Sequence, residues 1–135
     1  MSYARQMVDA YPGTIGIEAS LLAGTIEALT DCAQACTADT DDDLSEPNVA
    51  EMVACIRLCL DCADVCTATA GVASRQREEL NPEVMKPLLE ACAAICRSCA
   101  DECERHAHMH RHCRVCAEAC RRGEQASREL LAAIR

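Results

Sequence analysis

Phenylalanine and tryptophan are missing from this chain, and its only aromatic side chains are Tyr3 and Tyr11, both near the N-terminus. A packed helical or sheet domain normally fills its interior with large apolar side chains. Their absence here removes the usual core material. No stretch is long and apolar enough to span a membrane, so no membrane partner is expected. The opening MSYARQMVDAYPG has neither an apolar export segment nor a twin arginine, so a cytoplasmic, reducing location is the expectation. Acidic residues outnumber basic ones, 22 to 13. The formal charge is −9, and a nucleic-acid partner would call for a basic patch. An acidic surface instead serves solubility and draws cations. A Glu-x-x-His pair is lacking, which argues against a di-iron carboxylate bundle. Nothing matches a nucleophile, base and orienting group in sequence, so an enzyme is not expected.

What fills the gap is cysteine: 13 of 135 residues. In a short secreted chain this would suggest a disulfide framework. In a reducing compartment it suggests metal, and an odd number cannot pair completely within one chain. The cysteines also repeat. Cys55, Cys59, Cys62 and Cys66 read Cys-x3-Cys-x2-Cys-x3-Cys, and so do Cys92, Cys96, Cys99 and Cys103. Cys113, Cys116 and Cys120 repeat the pattern without its first member, and Met109 stands in that place. Cys32 and Cys36 supply one Cys-x3-Cys unit. Steps of four, three and four are helix steps. At 3.6 residues per turn, each unit falls within an arc of roughly 60°. On a strand it would scatter over both faces.

The fold class is therefore all-α, an antiparallel four-helix bundle with a cysteine-lined core. One domain over residues 1–135 is expected, with residues 1–13 an N-terminal arm closed by Pro12-Gly13. The first helix is expected from about residue 15 to about 38, and the acidic run Asp39 to Asp43 reads as a loop. Ser45 with Pro47 reads as the start of a second helix ending near residue 73. Asn81-Pro82 caps a third, ending near residue 105, whose first turns Pro87 should disturb. A fourth ends near residue 134. Antiparallel stacking then gives two unlike ends. Leu21, Leu22, Val84, Leu88, Leu130, Leu131 and Ile134 form an aliphatic plug at the bottom. Cys32, Cys36, Cys55, Cys59, Cys99, Cys103, Cys113 and Cys116 gather toward the top with all four histidines.

A lone buried cysteine is ordinarily a small hydrophobe. Thirteen on one periodicity, facing one axis, are a ligand set. Structural zinc takes closed four-ligand sites, and iron–sulfur clusters also take sets of four cysteines. These stripes do not separate into fours. Cu(I) is soft, selects thiolate and thioether, and tolerates low coordination, so thiolates can bridge successive ions. One Cu(I) per thiolate cancels the buried charge, which gives on the order of a dozen ions per chain. At the top, His106, His108, His110 and His112 alternate around Met109, and Met52 lies three residues before Cys55. By extrapolated helix period His106 continues the third stripe, Met109 fits the fourth, and His110 lies at its edge; His108 points elsewhere and His112 is weakly placed. His106, His110, Met52 and Met109 are thus candidate ligands at a mouth.

The repeated stripes and the histidine-rich approach to Cys113 resemble the bacterial copper storage proteins, in their cytosolic branch. The resemblance spans about Thr25 to Cys120. It implies a four-helix bundle filled with Cu(I), a His/Met mouth at one end, and a homotetramer. It implies copper ions as the cargo, with a copper chaperone as an expected partner. Three other readings stand beside it: a zinc or cadmium thiolate buffer of metallothionein type, a structural helical module whose thiols are incidental, and a redox enzyme or thiol sensor. The CxxC pairs favour the last, but a thioredoxin-like site needs a βαβ setting that this sequence lacks.

Overall fold

In the computed structural model, which describes residues 2–75 and 80–135, four long helices pack as an antiparallel bundle. They are α2 (Ala19–Leu44), α3 (Val53–Ser74), α4 (Pro82–His106) and α5 (Arg111–Ala133); a short α1 (Tyr3–Asp9) precedes them, and a 3-10 turn, Val49–Met52, leads into α3. The helices close a ring in chain order, with α2 against α3 and α5, and α4 against α3 and α5.

One inward stripe runs the length of each long helix, stepping alternately by three and four residues. In α2 it is Leu22, Thr25, Leu29, Cys32, Cys36, Asp39 and Asp43. In α3 it is Cys55, Cys59, Cys62, Cys66, Thr69 and Ala73. In α4 it is Met85, Leu89, Cys92, Cys96, Cys99 and Cys103. In α5 it is Cys113, Cys116, Cys120, Gly123, Ser127 and Leu130. All are buried. A mean step of 3.5 keeps one seam facing a common axis over many turns, as in a coiled coil.

The helix ends follow from local chemistry. The Asn81 side chain accepts from the Glu83 amide, and Pro82 fills the first helical position, where its missing N–H costs nothing. The Glu18 carboxylate accepts from the amides of Ser20 and Leu21 and so caps α2. α4 continues through Pro87, which is exposed near the helix start.

Two boundaries differ from the sequence expectation. The acidic run is not a loop: α2 continues through Asp39 and Asp43, and both carboxylates are buried. Composition suggested a solvated turn, but the stripe carries the helix on, because the two aspartates occupy the next inward positions. Ser45 consequently closes α2, its N–H donating to the Asp42 carbonyl and that of Glu46 to the Asp43 carbonyl, and does not open the next helix. Extending α2 also lowers Cys32 and Cys36 from the top to mid-height. There Cys32 meets Cys62 and Cys120, and Cys36 meets Cys99, Cys116 and Cys120.

The aliphatic plug exists at the bottom, built from Val8, Leu22, Ala23, Ile26, Ala73, Leu80, Met85, Leu89, Leu130 and Ile134. Leu21 and Leu131 pack at its margin. Val84 is 47% exposed and Leu88 only partly buried. The stripe of α4, counted back from Cys92, places Leu89 and Met85 inward instead, one residue along from the expected pair. Val8 shows that α1 is part of this closure.

Candidate metal centre

All thirteen cysteines are free and buried. Their side chains point at one axis because of the 3.5-residue step, and small neighbours let the helices approach: Ala33, Ala63, Ala93, Ala100 and Ala117 are buried beside them. At Gly123 a Cβ would lie 3.1 Å from Cys96 Sγ and 3.5 Å from Cys32 Sγ, so the missing side chain makes room for sulfur.

Every sulfur except Cys113 belongs to one connected chain of contacts between 3.5 and 4.0 Å. These distances are far beyond a disulfide bond and short enough for two sulfurs to share one metal ion. Four-sulfur groupings overlap: Cys32, Cys36, Cys62 and Cys120 share members with Cys32, Cys62, Cys66 and Cys96, and Cys36, Cys99, Cys116 and Cys120 share members with Cys59, Cys99, Cys103 and Cys116. The array thus has no natural division into closed sites. Burial opposes ionisation at every core thiol. The hydrogen bond between Cys32 and Cys120 nevertheless favours the thiolate at Cys32, and that between Cys36 and Cys116 favours the thiol at Cys36.

The top end carries different chemistry. Asp39 is 1% exposed and Asp43 0%. Asp39 Oδ2 accepts from the thiols of Cys55, Cys59 and Cys103 at 3.6, 3.5 and 3.6 Å. Its Oδ1 lies 2.5 Å from His112 Nδ1. Asp43 Oδ1 accepts from Cys113 at 3.6 Å, while its Oδ2 has no hydrogen-bond partner. Burial pushes Asp39 up to about 6, against the pull of its bond to His112, and pushes Asp43 up to about 8, with Asp39 adding to the rise. Burial lowers His112, but the hydrogen bond to Asp39 and the charges of Asp39, Asp43 and Asp42 outweigh it, so the imidazolium is favoured.

The expected mouth residues separate on inspection. Met52 is fully buried within the thiol cluster. His106 Nε2 lies 2.8 Å from Glu102, and His110 Nδ1 lies 2.9 Å from Glu46. His110 stacks on His112 with ring centroids 5.3 Å apart. His108 is exposed. Met109 does not extend the fourth stripe: α5 begins only at Arg111, and Met109 sits on the preceding turn, 67% exposed. Extrapolating a helix backward through a turn misplaced it. Sequence reasoning undervalued His112, which lies 3.6 Å from Cys113 Sγ. It missed Asp39 and Asp43 altogether. Their signal was present: Cys32, Cys36, Asp39 and Asp43 repeat the four-three-four spacing of the full cysteine units.

Comparison with known proteins agrees with this geometry. The family model described as copper storage protein matches residues 18–132. No curated protein sequence matches the chain. Among solved structures, the copper storage protein Ccsp of Streptomyces lividans loaded with 10 copper equivalents is 52% identical, with a TM-score of 0.93 over 97% of this chain and 99% of that one. A cytosolic copper storage protein from Streptomyces lividans, holding five coppers, is 56% identical, with a TM-score of 0.82 over 86% and 96%. A variant of the Streptomyces lividans protein with one histidine replaced by alanine is 55% identical, with a TM-score of 0.83 over 87% and 98%. A continuous buried thiol array in a four-helix bundle, the family match over most of the chain and the copper-loaded neighbours lead to one assignment: this chain belongs to the copper storage protein family.

Proposed function

We propose that the chain stores Cu(I) in the cytosol and limits its toxicity, without catalytic turnover. The observation that carries this reading is the unbroken sulfur array, in which every cysteine sulfur except that of Cys113 has at least one sulfur on a facing helix at 3.5 to 4.0 Å. Soft two-coordinate and bridging chemistry suits such an array. The ligands are Cys32, Cys36, Cys55, Cys59, Cys62, Cys66, Cys92, Cys96, Cys99, Cys103, Cys113, Cys116 and Cys120. Each ion that binds displaces a thiol proton and brings a charge that cancels the thiolate. Filling therefore leaves little net charge in the core, and the load is on the order of a dozen ions per chain.

Copper enters at the histidine end, since Leu89, Leu130 and Ile134 close the other. His106 and His110 hand ions inward from partly buried positions, and Met52 offers a thioether inside the cluster. Met109, on the exposed turn, makes only an outer contact. His112 joins this set through its position beside Cys113. The cytosolic location is supported by the Streptomyces lividans protein, which is described as cytosolic. A homotetramer is supported by exposed apolar side chains on α3 and the 3-10 turn before it, Val49, Val53 and Leu60, of which Leu60 is 48% exposed. A copper chaperone is the proposed donor. Anaerobic titration of the reduced protein with Cu(I), with metal and thiol counted together, tests the reading. About one ion or more per thiol is expected; saturation near three ions, as closed four-thiolate sites would give, overturns it.

A further inference from the structure

The uppermost cluster differs from the rest of the core. Asp39 places a hard oxygen donor among three soft sulfurs, and the four atoms make a closed figure. Asp39 Oδ2 stands 3.6, 3.5 and 3.6 Å from Cys55, Cys59 and Cys103 Sγ. Cys55 and Cys59 are 4.0 Å apart, Cys55 and Cys103 3.7 Å, and Cys59 and Cys103 3.9 Å. A tetrahedral zinc ion has Zn–S bonds of about 2.3 Å and Zn–O bonds of about 2.0–2.2 Å, which set S···S near about 3.8 Å and S···O near about 3.5–3.7 Å. All six edges lie within a few tenths of an ångström of those values.

We propose that Asp39, Cys55, Cys59 and Cys103 form a single Zn(II)-class site at the mouth of the bundle, distinct in metal preference from the copper array with which it shares three thiolates. Two further features point the same way. The second oxygen of Asp39 is held at 2.5 Å by His112 Nδ1, the outer contact that orients a ligating carboxylate. Asp39 is 1% exposed, and the oxygen that His112 does not hold is aimed into the three sulfurs. A divalent ion offsets twice the charge that Cu(I) would among three thiolates and a carboxylate, and oxygen is a poor partner for a soft monovalent ion. Binding releases the three thiol protons and forms three Zn–S bonds and one Zn–O bond. The uppermost set adds an oriented carboxylate to its thiolates, whereas the four-sulfur sets below overlap one another, so the first divalent ion is placed here. Cu(I) arriving at the same thiolates displaces it.

The test uses the full-length reduced apo-protein under anaerobic conditions, with Zn(II) alone and with Co(II) as its coloured substitute. At one equivalent of Zn(II), X-ray absorption should show three sulfurs at about 2.3 Å and one oxygen or nitrogen at about 2.0–2.1 Å. The tetrahedral Co(II) bands should saturate at one ion per chain. Asp39→Ala should weaken the first Zn(II) by at least about tenfold, and His112→Phe by about the same, as loss of an orienting contact does. A four-sulfur shell, an initial phase taking several Co(II) per chain, or undiminished affinity in Asp39→Ala would overturn the proposal. The absorption measurement needs no variant, so a folding defect in Asp39→Ala leaves it decisive. Failure of the Cu(I) titration would instead sink the storage reading, without touching the zinc result.

Discussion

Asp43 is the least comfortable residue in the molecule. Its Oδ2 is buried without a partner, and burial beside Asp39 raises its carboxyl to about 8. Asp39 is raised to about 6 and His112 is raised as well. The three shifts act in one direction on the apo-protein. An acid with a raised pKa holds its proton in the folded state after the unfolded chain has lost it, so stability falls as pH rises from about 4 toward 8. A raised histidine contributes stability that is present at low pH and is also lost as pH rises through its folded value. Urea unfolding of reduced apo-protein between pH 5 and 7 should show this fall, and Asp43→Asn should flatten it and stabilise the protein most at the upper end. A variant that keeps the full slope would place its origin elsewhere. Gly123 gives a second test at this scale. Alanine there gains up to about 1 kcal/mol of helix propensity, against overpacking that costs typically about 1–3 kcal/mol in a tight core. With a Cβ only 3.1 Å from Cys96 Sγ, Gly123→Ala should leave the apo-protein folded within about 1–2 kcal/mol of the parent. It should lower the Cu(I) count by an ion or two, because sulfur and metal compete for the same close-packed space. Metal counting after saturation and gel filtration reads it.

The helices combine two kinds of inward face on one stripe, sulfur above and aliphatic below. That division lets the bundle fold before it meets metal, unlike a zinc finger. Reduced apo-protein should give a strongly helical far-ultraviolet spectrum, and a coil that becomes helical only with Cu(I) would contradict this. Leu89 and Leu130 are fully buried in the plug, so Leu89→Ala or Leu130→Ala should each cost about 2–5 kcal/mol, measured by urea melts, with the copper load little changed. The stripe itself was legible in the sequence. Its thirteen cysteines at four-three-four spacing gave the helices, their inward faces and the antiparallel order. What escaped were the positions where residue type and position conflict. Asp39 to Asp43 have the composition of a turn but the spacing of a core stripe, and position prevailed. Val84 and Leu88 are more apolar by type than by place, and Met85 and Leu89 hold the inward register. Met109 fits the register only if the helix extends beyond Arg111, and it does not. Reading the spacing through the aspartates would have recovered the two inward carboxylates of α2.

As a whole the molecule is a tube with one end stopped and the other polar, and that asymmetry sets a direction for loading. The stopped end is sealed by the aliphatic plug, with Val8 of α1 across it. The polar end presents His106 against Glu102, and His110 against Glu46 and over His112. Neutral imidazole carries no charge and binds Cu(I) less tightly than bridging thiolates do, so it can take an ion from solution and release it inward. Replacing His106 and His110 together by alanine should therefore slow Cu(I) uptake, while the final count falls by no more than a few ions. The deficit should widen as pH falls through the histidine range, because His112, the remaining imidazole beside the cluster, is then protonated and held to Asp39. Replacing Cys59 and Cys99, which touch at 3.6 Å inside the array, should do the reverse and lower capacity with less effect on the first phase. Leu130→Ala, at the stopped end, should leave the rate unchanged. Stopped-flow loading of the three variants, with expression and helicity matched, separates these outcomes. An unaltered rate in the double histidine variant together with a faster one in Leu130→Ala would mean that copper passes through the aliphatic end.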